Sequence, residues 1–399
     1  MAKANGASDL HLEPGLPAAV RVRGTLRASG APIPGKVLLE AAQELIGNDG
    51  WHHFLQRQSY DLSRSIQGVR CRINVMQTSR GVGMAVRLLM GFTATVEKLN
   101  LHPDIRKLIS NTTGLIIISG STGSGKSSTM AALIQEINLV ETRHIVTIES
   151  PIEYLFKPYR AYIRQREVGR DTPSFEQALI DAMREDPDVL MVGEMRDPET
   201  MRLTLSAAET GHLVLATAHS SSAAEALQRV VAAFPSEIQS GVCAQLADCL
   251  VAVICQRLQY RPDLKIQVPE CEILMPGHAV KSFIRRGEFF KMMSAMETGA
   301  NDGMWTYTRY RTWLEARKTW HTPGEKTEEE PVGELAAMDE VRLPQPAPAI
   351  SKPSSIARSG KVAPDVRSTA PAKGGENTLE IEPEEGGLEA IISKLKTKP

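Results

Sequence analysis

The sequence predicts an α/β protein: a parallel sheet covered by helices on both faces, a small mixed α and β domain ahead of it, and a mainly helical region and disordered tail behind it. Three observations predict this architecture. Four short apolar runs at residues 115–118, 144–148, 189–192 and 212–218 alternate with helical segments, the pattern of strands buried on both faces. The first hundred residues instead mix strand-like stretches with one apolar-periodic helix. From His321 to Pro399 there is no Phe, Tyr or Trp, while Pro, Glu, Lys, Ser and Gly dominate, so this stretch lacks the apolar surface to offset its ordering entropy.

Taken in order, residues 18–26 read as a strand, 36–46 as a helix, and 60–75 and 83–89 as strands of a small sheet. The run at 114–119 reads as the first strand of the parallel sheet, followed by a helix over 128–137. Ser174 and Gln177 have the spacing of a capping box, in which each side chain satisfies a free N–H of the other's turn. After about residue 235 the pattern is mainly helical, with 271–275 the one good strand candidate. Within the tail, Leu388, Ile391, Ile392 and Leu395 fall at helical spacing and would suit a short helix on a partner surface.

Composition excludes several classes. The 399 residues carry 46 basic and 47 acidic side chains, and no basic, aromatic-interleaved stripe is present, so nothing calls for nucleic acid. No stretch approaches the roughly 18 apolar residues that span a bilayer, and the first residues contain no apolar leader, which predicts a soluble chain. The five cysteines, Cys71, Cys243, Cys249, Cys255 and Cys271, form no C-x-x-C pair and read as buried thiols in a reducing cytoplasm.

The chemistry is carried by Gly120, Ser121, Thr122, Gly123, Ser124, Gly125, Lys126 and Ser127, which fit G-x-x-x-x-G-K-[ST] and are followed by Ser128. The motif lies between an apolar strand and a helix, the setting of a P-loop, where glycines let backbone N–H groups approach phosphate oxygens closely. Lys126 would reach the β and γ phosphates of a nucleoside triphosphate, and the Ser127 hydroxyl would ligate Mg²⁺. No N-K-x-D motif is present, which disfavours GTP and leaves ATP. Two acidic clusters follow later strands: Glu149 with Glu153, and Glu194 with Asp197. Glu194, one position beyond the strand end at Gly193, reaches far enough to hold the Mg²⁺ shell. His212 and His219 bracket the next strand, 213–218, so His219 would emerge on the same sheet edge, where an imidazole could sense the γ-phosphate.

With these blocks in place, the chain resembles the secretion and type IV pilus motor ATPases, and within them the retraction ATPases. The likeness runs from Ala7 to about Trp320 and rests on four motifs in order: the P-loop, an Asp-box equivalent (147–153), a Walker B equivalent (186–197) and a His box (210–219). It implies a PAS-like domain over 1–98, a RecA-like ATPase core over 99–235, its helical continuation over 236–321 and a tail over 322–399. It also implies a homo-hexamer that is cytoplasmic and peripheral to the inner membrane, acting on a platform protein and through it on a pilin fibre. The resemblance gives Glu153 the polarisation of water, Glu194 the Walker B role and His219 γ-phosphate sensing. Arg80 and Arg87 become cations that reach the nucleotide from the N-terminal domain. Extension and secretion motors usually carry a further N-terminal domain and a tetracysteine zinc motif, neither of which is seen here, and residues 279–288 resemble the C-terminal segment of retraction motors. Ser150 stands where the Asp box has Asp. That change motivates one alternative to a retraction motor, a weakly active nucleotide-binding regulatory paralogue; the other alternative is an extension or type II secretion motor.

Overall fold

The computed structural model describes residues 7–22, 25–89 and 94–322. The expected tail and its short helix lie outside them. The N-terminal part is a six-stranded antiparallel sheet in the order β3-β2-β1-β6-β5-β4. Its strands are β1 (Ala7–Leu12), β2 (Ala18–Val22) and β3 (Thr25–Ser29), then, after helix α1 (Gly35–Arg57), β4 (Ser59–Ile66), β5 (Val69–Thr78) and β6 (Gly81–Leu89). Alternation sets the buried face: Cys71, Ile73 and Val75 of β5 point inward and pack with Leu38, Ala42, Ile46 and Phe54 of α1. The single strand expected at 18–26 is a hairpin instead, β2 and β3, and α1 runs on past Ile46 with non-helical geometry at Gly47.

The second sheet has seven strands in the order β13-β12-β7-β11-β10-β8-β9. In chain order its elements are β7 (Gly114–Ser119), α2 (Lys126–Val140), β8 (His144–Glu149), β9 (Tyr162–Glu167), α3 (Phe175–Ala182), β10 (Val189–Val192), α4 (Pro198–Glu209) and β11 (Leu213–Ala218). Then follow α5 (Ala223–Ala232), α6 (Gln239–Cys249), β12 (Leu250–Arg261), β13 (Ile266–Leu274), α7 (His278–Arg285), α8 (Met292–Thr298) and α9 (Tyr307–Ala316). Every residue of β7, β10 and β11 is buried, which is why these strands are continuous apolar runs rather than alternating ones. One face packs on α2 with Met130, Leu133, Ile134 and Ile137, and the other on α3, α4 and α6 with Leu179, Leu205 and Leu246.

The structure corrects the reading of the region after residue 235. The strand expected at 271–275 is present as the end of β13, but it starts earlier and has a partner that was not expected: β12 is strand rather than helix and pairs parallel with β7, and β13 pairs antiparallel with β12. The helix α6 passes into β12 with no Gly or Pro between Val242 and Arg261 to mark the change, and a buried apolar run has no period that separates the two states. Only half of the capping box forms. Ser174 accepts from Gln177 N at 3.1 Å, but the Gln177 side chain turns forward to Asp181 at 2.8 Å.

Candidate functional site

The site is assembled at the C-terminal ends of β7, β8, β10 and β11, the edge of an open parallel sheet where strand ends and helix starts converge. The loop after β7 turns through Gly120, Gly123 and Gly125, all at positive φ. Two of these glycines are also required by space. A Cβ on Gly120 would sit 2.3 Å from the Gln256 carbonyl oxygen, and one on Gly125 would sit 2.7 Å from the Gln256 side chain. Helix α2 opens on Gly125 with no side-chain cap, whereas α3, α4 and α5 are capped by Ser174, Asp197 and Ser222. Its first-turn N–H groups and the positive end of its dipole are therefore directed at whatever the loop holds.

Lys126 Nζ donates to Gly120 O at 2.8 Å and Ser121 O at 3.0 Å, folding across the loop. Burial pulls its ammonium below the usual lysine range, against the charges of Glu194 and Glu153, so both carboxylates face this cation. Glu194 accepts from His219 Nε2 at 2.8 Å and pairs with Arg196 at 2.6 Å. Burial on its own raises the Glu194 carboxyl, but the hydrogen bonds and charges of Arg196 and His219 outweigh it, and the group lies below its ordinary value. The turn that presents Glu194 is fixed from both neighbouring strands: Gly193 N donates to Ile148 O at 2.8 Å, and Met195 N to Thr217 O at 3.1 Å. A Cβ on Gly193 would lie 3.0 Å from Ile148 O and 3.3 Å from Glu149 Cα, so an Asp there would fit only if the end of β8 gave way by a few tenths of an ångström. The segment after β11 that carries His219 is tied to the P-loop strand through Ser119, whose hydroxyl accepts from Ser220 N at 2.8 Å.

The structure brings Gly120 to Ser128, Glu153, Glu194 and His219 to this edge. Ser128 already meets the Tyr154 hydroxyl at 2.7 Å. Asp197 serves otherwise, as the N-cap of α4 that accepts from Thr200 N at 2.8 Å. His212 bonds the Ala207 carbonyl at 2.9 Å, a local structural tie. Arg80 and Arg87 are exposed on the N-terminal sheet, and Arg87 pairs with Asp9 at 2.9 Å. The five cysteines are free and buried, and no cluster of metal-ligating side chains occurs among the described residues.

One residue of the site escaped the sequence reading. Gln256, on β12, accepts from Thr129 Oγ1 at 2.7 Å and donates to Ser124 O at 2.6 Å, clamping the P-loop to the start of α2. A polar residue ending the apolar run 250–255 was the available signal, and it carries meaning only once that run is known to be a strand beside β7.

Residues 48–299 match the family described as Type II/IV secretion system protein. The type IV pilus retraction ATPase PilT of Pseudomonas aeruginosa is 39% identical over 303 residues, covering 75% of this chain and 88% of that protein. A twitching motility protein of Neisseria gonorrhoeae is 38% identical over 289 residues, 72% of this chain and 77% of its own. The type IV pilus ATPase PilU of P. aeruginosa is 33% identical over 340 residues, 85% and 87% of the two chains. Among solved structures, the pilus retraction motor PilT with bound ADP superposes with a TM-score of 0.69 at 36% identity, over 80% of this chain and 95% of that one. No helix among the described residues is long and apolar enough to cross a membrane. With most of its length matched to this family and to relatives above 30% identity, the chain belongs to the type II/IV secretion system ATPases.

Proposed function

We propose that this chain is a ring-forming motor that hydrolyses Mg-ATP and drives retraction of a type IV pilus. One observation carries the reading: Lys126, Glu194, His219 and Glu153 meet on one sheet edge, in a chain similar over most of its length to a retraction ATPase. The loop itself fits a phosphate chain. Ser124 Oγ is buried with no hydrogen-bond partner among the described residues, and the Gly123 position is open where a side chain would otherwise stand. Oxygen donors from Ser127 and Glu194 suit a hard cation, and Mg²⁺ held there would neutralise charge on the phosphate oxygens.

The residues then divide the work. Lys126 exchanges its two loop carbonyls for phosphate oxygens, so its charge is kept beside the nucleotide rather than in water. Glu194 is held ionised by Arg196 and His219, and His219 couples that carboxylate to the region of the terminal phosphate. Glu153 orients the attacking water and takes up its proton. Arg80 and Arg87 project from a face that would meet a neighbouring subunit, where permanent cations can neutralise transition-state charge in trans. The fibre is reached through a membrane platform protein, with the ring peripheral to the inner membrane on its cytoplasmic side.

Steady-state hydrolysis, measured together with mass in solution with and without Mg-ATP, tests the proposal. A hexamer that turns over is expected, with Lys126→Ala losing nucleotide binding and Glu153→Gln binding nucleotide but slowing turnover by about a hundredfold or more. Normal turnover by Glu153→Gln would remove the assigned base. A second reading, a nucleotide-binding regulatory subunit, is favoured by Ser150, which places an exposed hydroxyl rather than a carboxylate beside Glu149. Tight binding without turnover would select it.

A further inference from the structure

A buried ion pair joins the two sheets. Arg70 of β5 and Glu167 at the end of β9 are 2.9 Å apart, with side chains only 10% and 5% exposed. Ser63 of β4 donates to the same carboxylate oxygen. Arg170 approaches it from 3.9 Å on the more exposed side. The pair does more than satisfy itself, because between them the two residues grip the backbone of Ile152. Ile152 N donates to Glu167 at 3.2 Å, and Ile152 O accepts from Arg70 Nε at 3.3 Å. The next residue is Glu153.

The rest of that loop is held in the same manner from β9 and α2. Gln165 accepts from Phe156 N at 3.0 Å and donates to Tyr154 O at 2.8 Å, while the Tyr154 hydroxyl reaches Ser128 beside the P-loop. The segment carrying Glu153 thus hangs from β5, β9 and α2, and the first of these, through Arg70, belongs to the N-terminal sheet. Replacing a buried ion pair with apolar side chains is often neutral for stability, so stability alone is a weak account of its presence.

We propose that Arg70 and Glu167 are positioning residues for Glu153, forming a strut through which the placement of the N-terminal sheet sets the geometry of hydrolysis. This rests on Glu153 acting on water, as proposed above. A guanidinium suits the task because its separate N–H groups can bond Glu167 and the Ile152 carbonyl at once, which a lysine ammonium on a flexible stem does poorly. A domain movement that withdrew Arg70 would free one side of the Ile152 peptide and let Glu153 drift from its water. Displacements of about 1 Å in such groups cost roughly a hundredfold in rate.

The test uses the full chain, with kcat and KM for ATP, affinity for a fluorescent ATP analogue and thermal melting measured on three variants. In Arg70→Met/Glu167→Met, kcat is expected to fall roughly tenfold to a hundredfold while KM and analogue affinity stay near the parent's, and the melting temperature falls by several degrees because the Ile152 peptide and the Ser63 hydroxyl lose their partners. Arg70→Lys, which keeps the charge and the fold, is expected to lose kcat by a smaller factor with unchanged nucleotide affinity, and it decides the matter should the double variant fail to fold. Glu153→Gln is the control. Parental kcat in Arg70→Lys and in a folded double variant, beside an inactive Glu153→Gln, would overturn the strut and leave the reading of Glu153 intact. Loss of kcat in the strut variants beside a fully active Glu153→Gln would overturn the route through Glu153. A loss carried by KM and analogue affinity together would assign the pair to nucleotide binding and likewise overturn the proposal.

Discussion

Glu149 ends β8 with its side chain almost wholly buried, bonded by Thr147 at 2.7 Å and Gln165 at 3.2 Å. Burial pushes its carboxyl up to about 7, although both hydrogen bonds favour the ionised form. The folded protein therefore holds a proton here that the unfolded chain releases near the ordinary value of 4.5. Stability from this group is complete below that value and is lost as pH rises towards and through about 7. By linkage the loss amounts to roughly 3 kcal/mol at most. Glu149→Gln, which cannot ionise, is expected to flatten the decline in melting temperature between pH 5 and 8. An unchanged slope would mean that the carboxyl is already ionised throughout. The same residue shows how a motif and its chemistry separate. Glu149 and Glu153 are equally acidic in sequence, yet one is sealed beneath the sheet edge and the other half-exposed facing Lys126.

At the scale of elements, the P-loop owes its shape to β12 as much as to its own glycines. Gln256 is 3% exposed and fills the space that Gly120 and Gly125 leave, linking Ser124 O to Thr129 Oγ1. Gln256→Leu would strand both partners in the interior, each at a cost of about 1–3 kcal/mol. The expected outcome is a melting temperature lower by several degrees and ATP-analogue affinity weaker by roughly tenfold, since the loop would lose the frame that orients its N–H groups. Calorimetry and a fluorescence titration would read the two effects separately. If stability fell while affinity stayed the same, the loop would be shaped by its glycines alone. The strand β9 makes a similar point from the opposite edge of the sheet. Its sequence, Tyr162 to Glu167, is charged and shows no apolar period, yet it pairs in register with β8 and aims Gln165 and Glu167 at the Glu153 loop.

For the whole molecule, the exposure of Arg80 and Arg87 on the N-terminal sheet, with Arg87 engaged by Asp9, fits a role across a subunit boundary better than one within the chain. In the proposed ring, Lys126→Ala and Arg87→Ala would each be inactive alone. Mixed in equal amounts, they are expected to recover up to about a quarter of parental turnover, because intact sites form where an unmodified P-loop meets an unmodified arginine. Subunit mixing followed by an ATPase assay would show this, and no recovery would place Arg87 in its own chain's chemistry or outside it.

The sequence alone determined the P-loop, the order of the later acidic and histidine motifs and the parallel core, because each is written locally: fixed spacing in the first case, short apolar runs in the last. It also foresaw that His219 would share an edge with Lys126, since parallel strands deliver their C-terminal ends to one side. It did not disclose β1 or β9, nor the strand character of β12, nor the Arg70 and Gln256 contacts. Strand pairing is non-local, and a polar side chain in an apolar run has no assigned partner until the neighbouring strand is in place. Only the tertiary structure decided which carboxylates face Lys126 and which are sealed away, and only it joined the first sheet to the loop that carries Glu153.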